Sequence, residues 1–143
     1  MVVPLSFVIF VSMIKDIFED IQRHKSDNQE NRRKVLVGDP KTSKFIPKLW
    51  QELHVGMIVK IKRDEYFPAD LIIINSSGPK GICYIETKDL DGETNLKHKQ
   101  ADKRLLELDL NSEAKIIENM MGAYVQCENP NDMLYRFEGT LYI

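Results

Sequence analysis

Four acidic residues, Glu86, Asp89, Asp91 and Glu93, crowd around one glycine, Gly92, in the run Ile85-Glu86-Thr87-Lys88-Asp89-Leu90-Asp91-Gly92-Glu93-Thr94-Asn95-Leu96-Lys97. Glycine at the centre permits a positive φ and lets another backbone or a phosphate come close. Thr94 and Asn95 add short polar side chains that bond locally and set turns. Upstream, Ile82-Cys83-Tyr84-Ile85 reads as a buried strand. The carboxylate of Glu93 is therefore delivered by a tight loop that follows a rigid element, a good way to present a catalytic or ligand-binding group.

Three chemistries compete for this loop. Asp89, Asp91 and Glu93 alternate like the first ligands of a calcium loop. That pattern needs its glycine at position six and a glutamate at position twelve. Here the glycine stands at position four and Gln100 at position twelve. A solvated acidic turn fits the composition equally well. The third reading is a carboxylate offered to another domain's chemistry.

The string Asp89-Leu90-Asp91-Gly92-Glu93-Thr94-Asn95-Leu96-Lys97 selects the third. It resembles the dephosphorylation motif of type IV P-type ATPases, the phospholipid flippases. Pro68-Ala69-Asp70-Leu71, Cys83-Tyr84-Ile85-Glu86-Thr87, and Cys127-Glu128-Asn129-Pro130-Asn131 followed by Leu134, Tyr135, Phe137 and Gly139 resemble further segments of that family, in family order. Arg23-His24-Lys25 with Asp27 and Asn31 resembles its stalk. One departure is Met57, where members usually carry an aspartate.

The elements that must position the loop can be read from the rest of the chain. With 143 residues, one domain with a real core is expected. The net charge of −2 leaves no footprint for nucleic acid. Cys83 and Cys127 are read as reduced and buried, since two cysteines make no disulfide framework at this size. His24, His54 and His98 have no partners at zinc-ligand spacing, so no metal site is read.

Residues 1–14 carry no charged side chain. As a helix they would reach about 21 Å, short of a bilayer core of about 30 Å. They read as the cytosolic end of a transmembrane helix in preference to a buried core helix. Ile14, Ile17, Phe18 and Ile21 keep one face apolar as the helix continues into a stalk helix and linker over residues 15–33, with the polar run Ser26 to Asn31 ending the stalk. The basic residues Arg23, His24, Lys25, Arg32, Arg33 and Lys34 follow the apolar run, which places that side in the cytosol.

From Lys34 the period becomes strand-like. Strands are expected at 35–37, 57–62, 71–74, 82–85, 123–127, 134–137 and 139–143, with a central place in the core for Leu71-Ile72-Ile73-Ile74. Lys44 to Leu49, with Pro47, reads as an edge segment. Residues 50–53 read as one helical turn, residues 96–104 as a strand and a turn, and Glu113 to Met121 as a short helix. Asn75-Ser76-Ser77 fits a glycosylation sequon that stays unmodified in the cytosol. The pattern is a mainly β domain of the jelly-roll or sandwich kind with short helices.

The resemblance implies more. It implies the distorted jelly-roll, or double-stranded β-helix, of an actuator domain over residues 34–143, truncated at its C-terminus and preceded by a membrane and stalk helix. It gives Glu93 the role of activating the water that hydrolyses an aspartyl-phosphate, Gly92 the close approach, and Asp91 and Thr94 the loop's shape or a contact with the phosphorylation site. ATP and Mg2+ are implied for the full-length enzyme, bound outside this chain. Implied partners are the phosphorylation domain of the same polypeptide, a phospholipid, the membrane and an accessory β-subunit. The chain alone is not expected to hydrolyse ATP. The alternative from another class is a membrane-tethered β-sandwich module that binds partners without catalysis.

Overall fold

The computed structural model describes residues 2–133 and 136–143. A single helix, α1 (Val2–Asn31), opens the chain. Its 30 residues extend about 45 Å. From residue 6 onward its apolar side chains stand in solvent: Phe7 is 67% exposed and Phe18 63%. Residues 6–14 thus do not pack into the core formed by the described residues. No helix of the described residues is long and apolar enough to cross a membrane.

The helix meets the rest of the chain at its C-terminal end. The carbonyl of Arg33 accepts the Trp50 N–H at 2.9 Å. The Arg33 guanidinium lies over the Tyr66 ring at 4.7 Å and the Trp50 ring at 5.4 Å. Glu30 holds the same guanidinium from the last helical turn, Nε to Oε2 at 2.6 Å and Nη2 to Oε1 at 2.8 Å.

Beyond the helix, regular structure is three small antiparallel sheets. The first has the order β2-β1-β3, formed by β1 (Lys34–Asp39), β2 (Lys44–Leu49) and β3 (Val59–Lys60). In β1, Val35 and Val37 are buried while Lys34 is exposed, the alternation that period two demands. β2 is an edge, as Pro47 requires. A 3-10 turn over Trp50–Glu52 follows it. The second sheet pairs β4 (Ile82–Ile85) with β5 (Lys97–Gln100). The third pairs β6 (Tyr124–Cys127) with β7 (Gly139–Tyr142), with Tyr124 stacked on Tyr142 at 4.7 Å between ring centroids.

Short helices bridge these sheets. α2 (Lys88–Asp91) sits between β4 and β5, and α3 (Lys103–Leu106) follows β5. α4 (Glu113–Asn119) starts at Ser112, whose hydroxyl accepts the Lys115 N–H. It drives Ile117, fully buried, against β1. Gly38 makes that contact possible, because a Cβ there would lie 2.9 Å from Ile117 Cγ1. Lys60 pairs with Glu113 across the same junction. The buried apolar set is Val35, Val37, Ala101, Leu105, Leu110, Ile117 and Met120.

This core is small for the mass. A compact monomer of 16.6 kDa exposes about 7,600 Å², whereas the described structure exposes 12062 Å². Exposed apolar side chains on α1 and on the third sheet, such as Phe7, Phe18 and Tyr124, are part of that surface.

Several expectations need correction. Leu71-Ile72-Ile73-Ile74 forms no strand, and Leu71 and Ile72 are exposed. An aliphatic run becomes a strand only when another edge offers it a ladder, and among the described residues none does. The strand expected over 57–62 shrinks to Val59–Lys60. Of the strand expected over 134–137, residues 134 and 135 lie outside the described residues, and Arg136 and Phe137 are not in a strand. Cys83 is half-buried and Cys127 exposed, both as free thiols, so burial of Cys127 is also wrong. Among the described residues nothing covers β6, which is exposed throughout.

Candidate functional site

The ladder between β4 and β5 runs from Ile82 opposite Gln100 to Ile85 opposite Lys97, and residues 86–96 are the connection it holds. The base of the hairpin is fixed by packing. Gly81, at φ +68, lies against Leu106 and Ala101, where a Cβ would meet Leu106 Cδ2 at 2.8 Å. The Gly81 carbonyl accepts the Ala101 N–H at 3.0 Å. The acidic loop is thus carried on a braced two-stranded arm.

Asp91 organises the loop from inside. Its side chain is only 6% exposed. It accepts the Thr87 hydroxyl at 2.9 and 3.0 Å, which closes the single turn of α2. It accepts the Glu93 N–H at 2.9 Å, which fixes the start of the next segment. Its Oδ2 lies 2.5 Å from the Lys97 ammonium. A carboxylate this enclosed needs donors on all sides, and here it has a hydroxyl, an amide and a cation.

Gly92 ends α2 in the left-handed region at φ 75, and its N–H donates to the Lys88 carbonyl at 2.9 Å. This is the helix end that glycine serves best. Nothing lies within 4 Å of where its Cβ would be, so the backbone here is open to an incoming group. Glu93 follows at the lip of the loop. Its side chain is 55% exposed, and its Oε2 lies 3.0 Å from Lys97 Nζ. Thr94 is exposed beside it.

Lys97 joins both carboxylates. Hydrogen bonding to Asp91 first, and to Glu93 second, holds its ammonium far above the ordinary lysine range. It is therefore a fixed positive charge at any physiological pH.

The structure therefore brings Asp91, Gly92, Glu93 and Thr94 into one loop and separates their environments. Asp91 faces inward and Glu93 outward. Glu86 and Asp89 are exposed. Reading the sequence for chemistry missed Thr87 and Lys97 as members of the site. The one signal for Lys97 in the sequence was its place four residues after Glu93.

No family model matches the chain. Individual proteins do. The chain is 46% identical to probable phospholipid-transporting ATPase 11 of Arabidopsis thaliana over 140 residues, which is 97% of this chain and 11% of that protein. It is 37% identical to phospholipid-transporting ATPase VA of Homo sapiens over 138 residues, 96% of this chain and 9% of that protein. It is 37% identical to phospholipid-transporting ATPase IC of Mus musculus over 143 residues, 98% of this chain and 11% of that protein. The chain spans about a tenth of the length of the curated relatives it matches. Along almost its whole length, acidic loop included, the chain is thus similar to a stretch of curated phospholipid-transporting, type IV P-type ATPases.

Proposed function

We propose that this chain is the actuator region of an ATP-driven phospholipid flippase, and that its loop at Asp91, Gly92, Glu93 and Thr94 promotes hydrolysis of an aspartyl-phosphate formed elsewhere in the same polypeptide. In this reading residues 1–14 are the cytosolic end of a transmembrane helix, residues 15–33 the stalk, and residues 34–143 the actuator domain. The parent enzyme moves phospholipid towards the cytosolic leaflet, and an accessory β-subunit partners it outside this region. The region itself lies on the cytosolic side, in keeping with the basic residues that follow the apolar run.

The observation that carries the reading is the division of labour between two neighbouring carboxylates. Asp91 is 6% exposed and spends its oxygens on the loop, whereas Glu93 is 55% exposed at the lip beside the open backbone of Gly92. A carboxylate needed only for shape would face inward. In the reaction, the Glu93 carboxylate takes a proton from water as the water oxygen bonds to phosphorus. The bond from phosphorus to the aspartyl oxygen breaks, and inorganic phosphate leaves. Asp91 and Glu93 already share the Lys97 ammonium at the point where a cation would sit, so this loop does not fit a Mg2+ ion. The reading assigns ATP and Mg2+ to other parts of the parent.

Rapid-quench measurement of phosphoenzyme decay in the full-length parent tests this. Glu93→Gln keeps size and removes basicity, so phosphoenzyme should still form from ATP and decay roughly 100- to 10,000-fold more slowly. Decay at the wild-type rate in Glu93→Gln would falsify the assignment.

A further inference from the structure

We infer that Lys97 is a positioning residue that sets the place of the Glu93 carboxylate through the half-buried Asp91; the inference rests on the role proposed for Glu93. Glutamate on an exposed loop has many rotamers, and water activation needs one of them. The structure supplies a restraint. Lys97 is the first residue of β5, and its backbone is pinned by pairing with Ile85. Its Nζ reaches Asp91 Oδ2 at 2.5 Å and Glu93 Oε2 at 3.0 Å. Asp91 is itself held by the Thr87 hydroxyl and the Glu93 N–H. The order therefore passes from the β4–β5 ladder to Lys97, and from Lys97 to Glu93, with Asp91 as the anchor that keeps the ammonium from wandering.

Burial separates this arrangement from an ordinary surface ion pair. Exposed pairs flicker and add little. Here the lysine side chain is 25% exposed and its anchoring carboxylate 6%. The other ion pairs of the described residues outside this loop join side chains that are each at least 37% exposed. The cost of fixing the lysine has been met by Asp91, so Glu93 meets a partner already in place. That is how a group outside the bond-making atoms steers one within them.

The test is phosphoenzyme decay in the full-length parent, with phosphoenzyme formation from ATP as the control for folding. Lys97→Met should leave formation intact and slow decay roughly 10- to 100-fold, the cost of a misplaced catalytic group. Lys97→Arg, which keeps the charge and offers several donors, should restore most of the rate. In the double variant Glu93→Gln/Lys97→Met, decay should be no slower than in Glu93→Gln alone, since a residue that acts through Glu93 has nothing left to act on. If Lys97→Met fails to form phosphoenzyme because Asp91 is left without its cation, Asp91→Asn/Lys97→Met removes both charges, and its decay should be slow by the same factor. Wild-type decay in Lys97→Met or in that double variant overturns the inference, as does full additivity with Glu93→Gln. If Glu93→Gln slows decay and Lys97→Met does not, the role of Glu93 stands and that of Lys97 falls. Unchanged decay in Glu93→Gln removes both.

Discussion

Gly92→Ala separates what the loop needs to fold from what it needs to work. Gly92 has φ +75, and a Cβ placed on it meets nothing within 4 Å. The folding cost is therefore torsional alone, about 1–2 kcal/mol for an L-residue in the left-handed region. The smaller conformational freedom of alanine in the unfolded chain returns about 0.4–1 kcal/mol. The net loss is about 1 kcal/mol, roughly a fivefold change in the folding constant. Gly122 is a matched control, with φ +85 and the same open space, but outside the acidic loop. Urea unfolding of the chain should show the same small loss for Gly92→Ala and Gly122→Ala. In the full-length parent the two should part. If Gly92 lies against a phosphorylated site, the added methyl displaces the loop by about 1 Å, worth about 100-fold in the hydrolytic step. Gly122→Ala should leave phosphoenzyme decay unchanged. Gly92→Asn refines the comparison, because asparagine tolerates the left-handed region but still fills the space. Equal decay rates in Gly92→Ala and Gly122→Ala, or full recovery in Gly92→Asn, would refute the close approach.

Two further outcomes follow from the surface and the charges. Removing residues 1–14 should cut light scattering in detergent-free buffer and leave the β circular dichroism in place, because residues 6–14 are exposed and the sheets begin at Lys34; loss of the β signal would mean that the segment packs on the sheets. Stability should hold above about pH 5 and fall as the pH drops through the carboxylate range, since three aspartates are held below their ordinary value of 3.8: Asp39 chiefly by the Thr42 hydroxyl, Asp102 by the Arg104 guanidinium and Asp109 by the Lys115 ammonium. The contribution of a depressed carboxylate is present above its unfolded pKa and lost below its folded one. Urea midpoints from pH 7 to pH 2.5 should therefore decline, and less steeply in Asp109→Asn; midpoints that rise toward pH 3 contradict the geometry.

Local chemistry was enough for some elements. Pro47 cannot donate to a ladder, and β2 is an edge. The stretch from Glu113 to Met121, with Ile116, Ile117 and Met120 on one face, marked α4, and Ile117 and Met120 are buried. Gly92 between Asp91 and Glu93 asked for a left-handed residue, and it is one. The apolar stripe through Ile14, Ile17, Phe18 and Ile21 marked a helix that continues past residue 14, and α1 runs unbroken to Asn31. In each case the deciding interaction lies within a few residues.

Other features depend on what the fold brings from a distance. Leu71 to Ile74 has the composition of a central strand, yet strand formation needs a second edge, and none meets it among the described residues. Cys127 sits in a strand, but that strand is exposed on all its residues, so its neighbours in sequence said nothing of its burial. The site divides the same way. The residue types of the acidic loop and its glycine were determined by the sequence alone, down to which positions could carry a carboxylate. Which carboxylate turns inward, and which lysine holds it, was decided by the antiparallel register that sets Lys97 opposite Ile85 and by the enclosure of Asp91 beneath Thr87. A side chain's type is a property of the residue, but its partner is a property of the space around it.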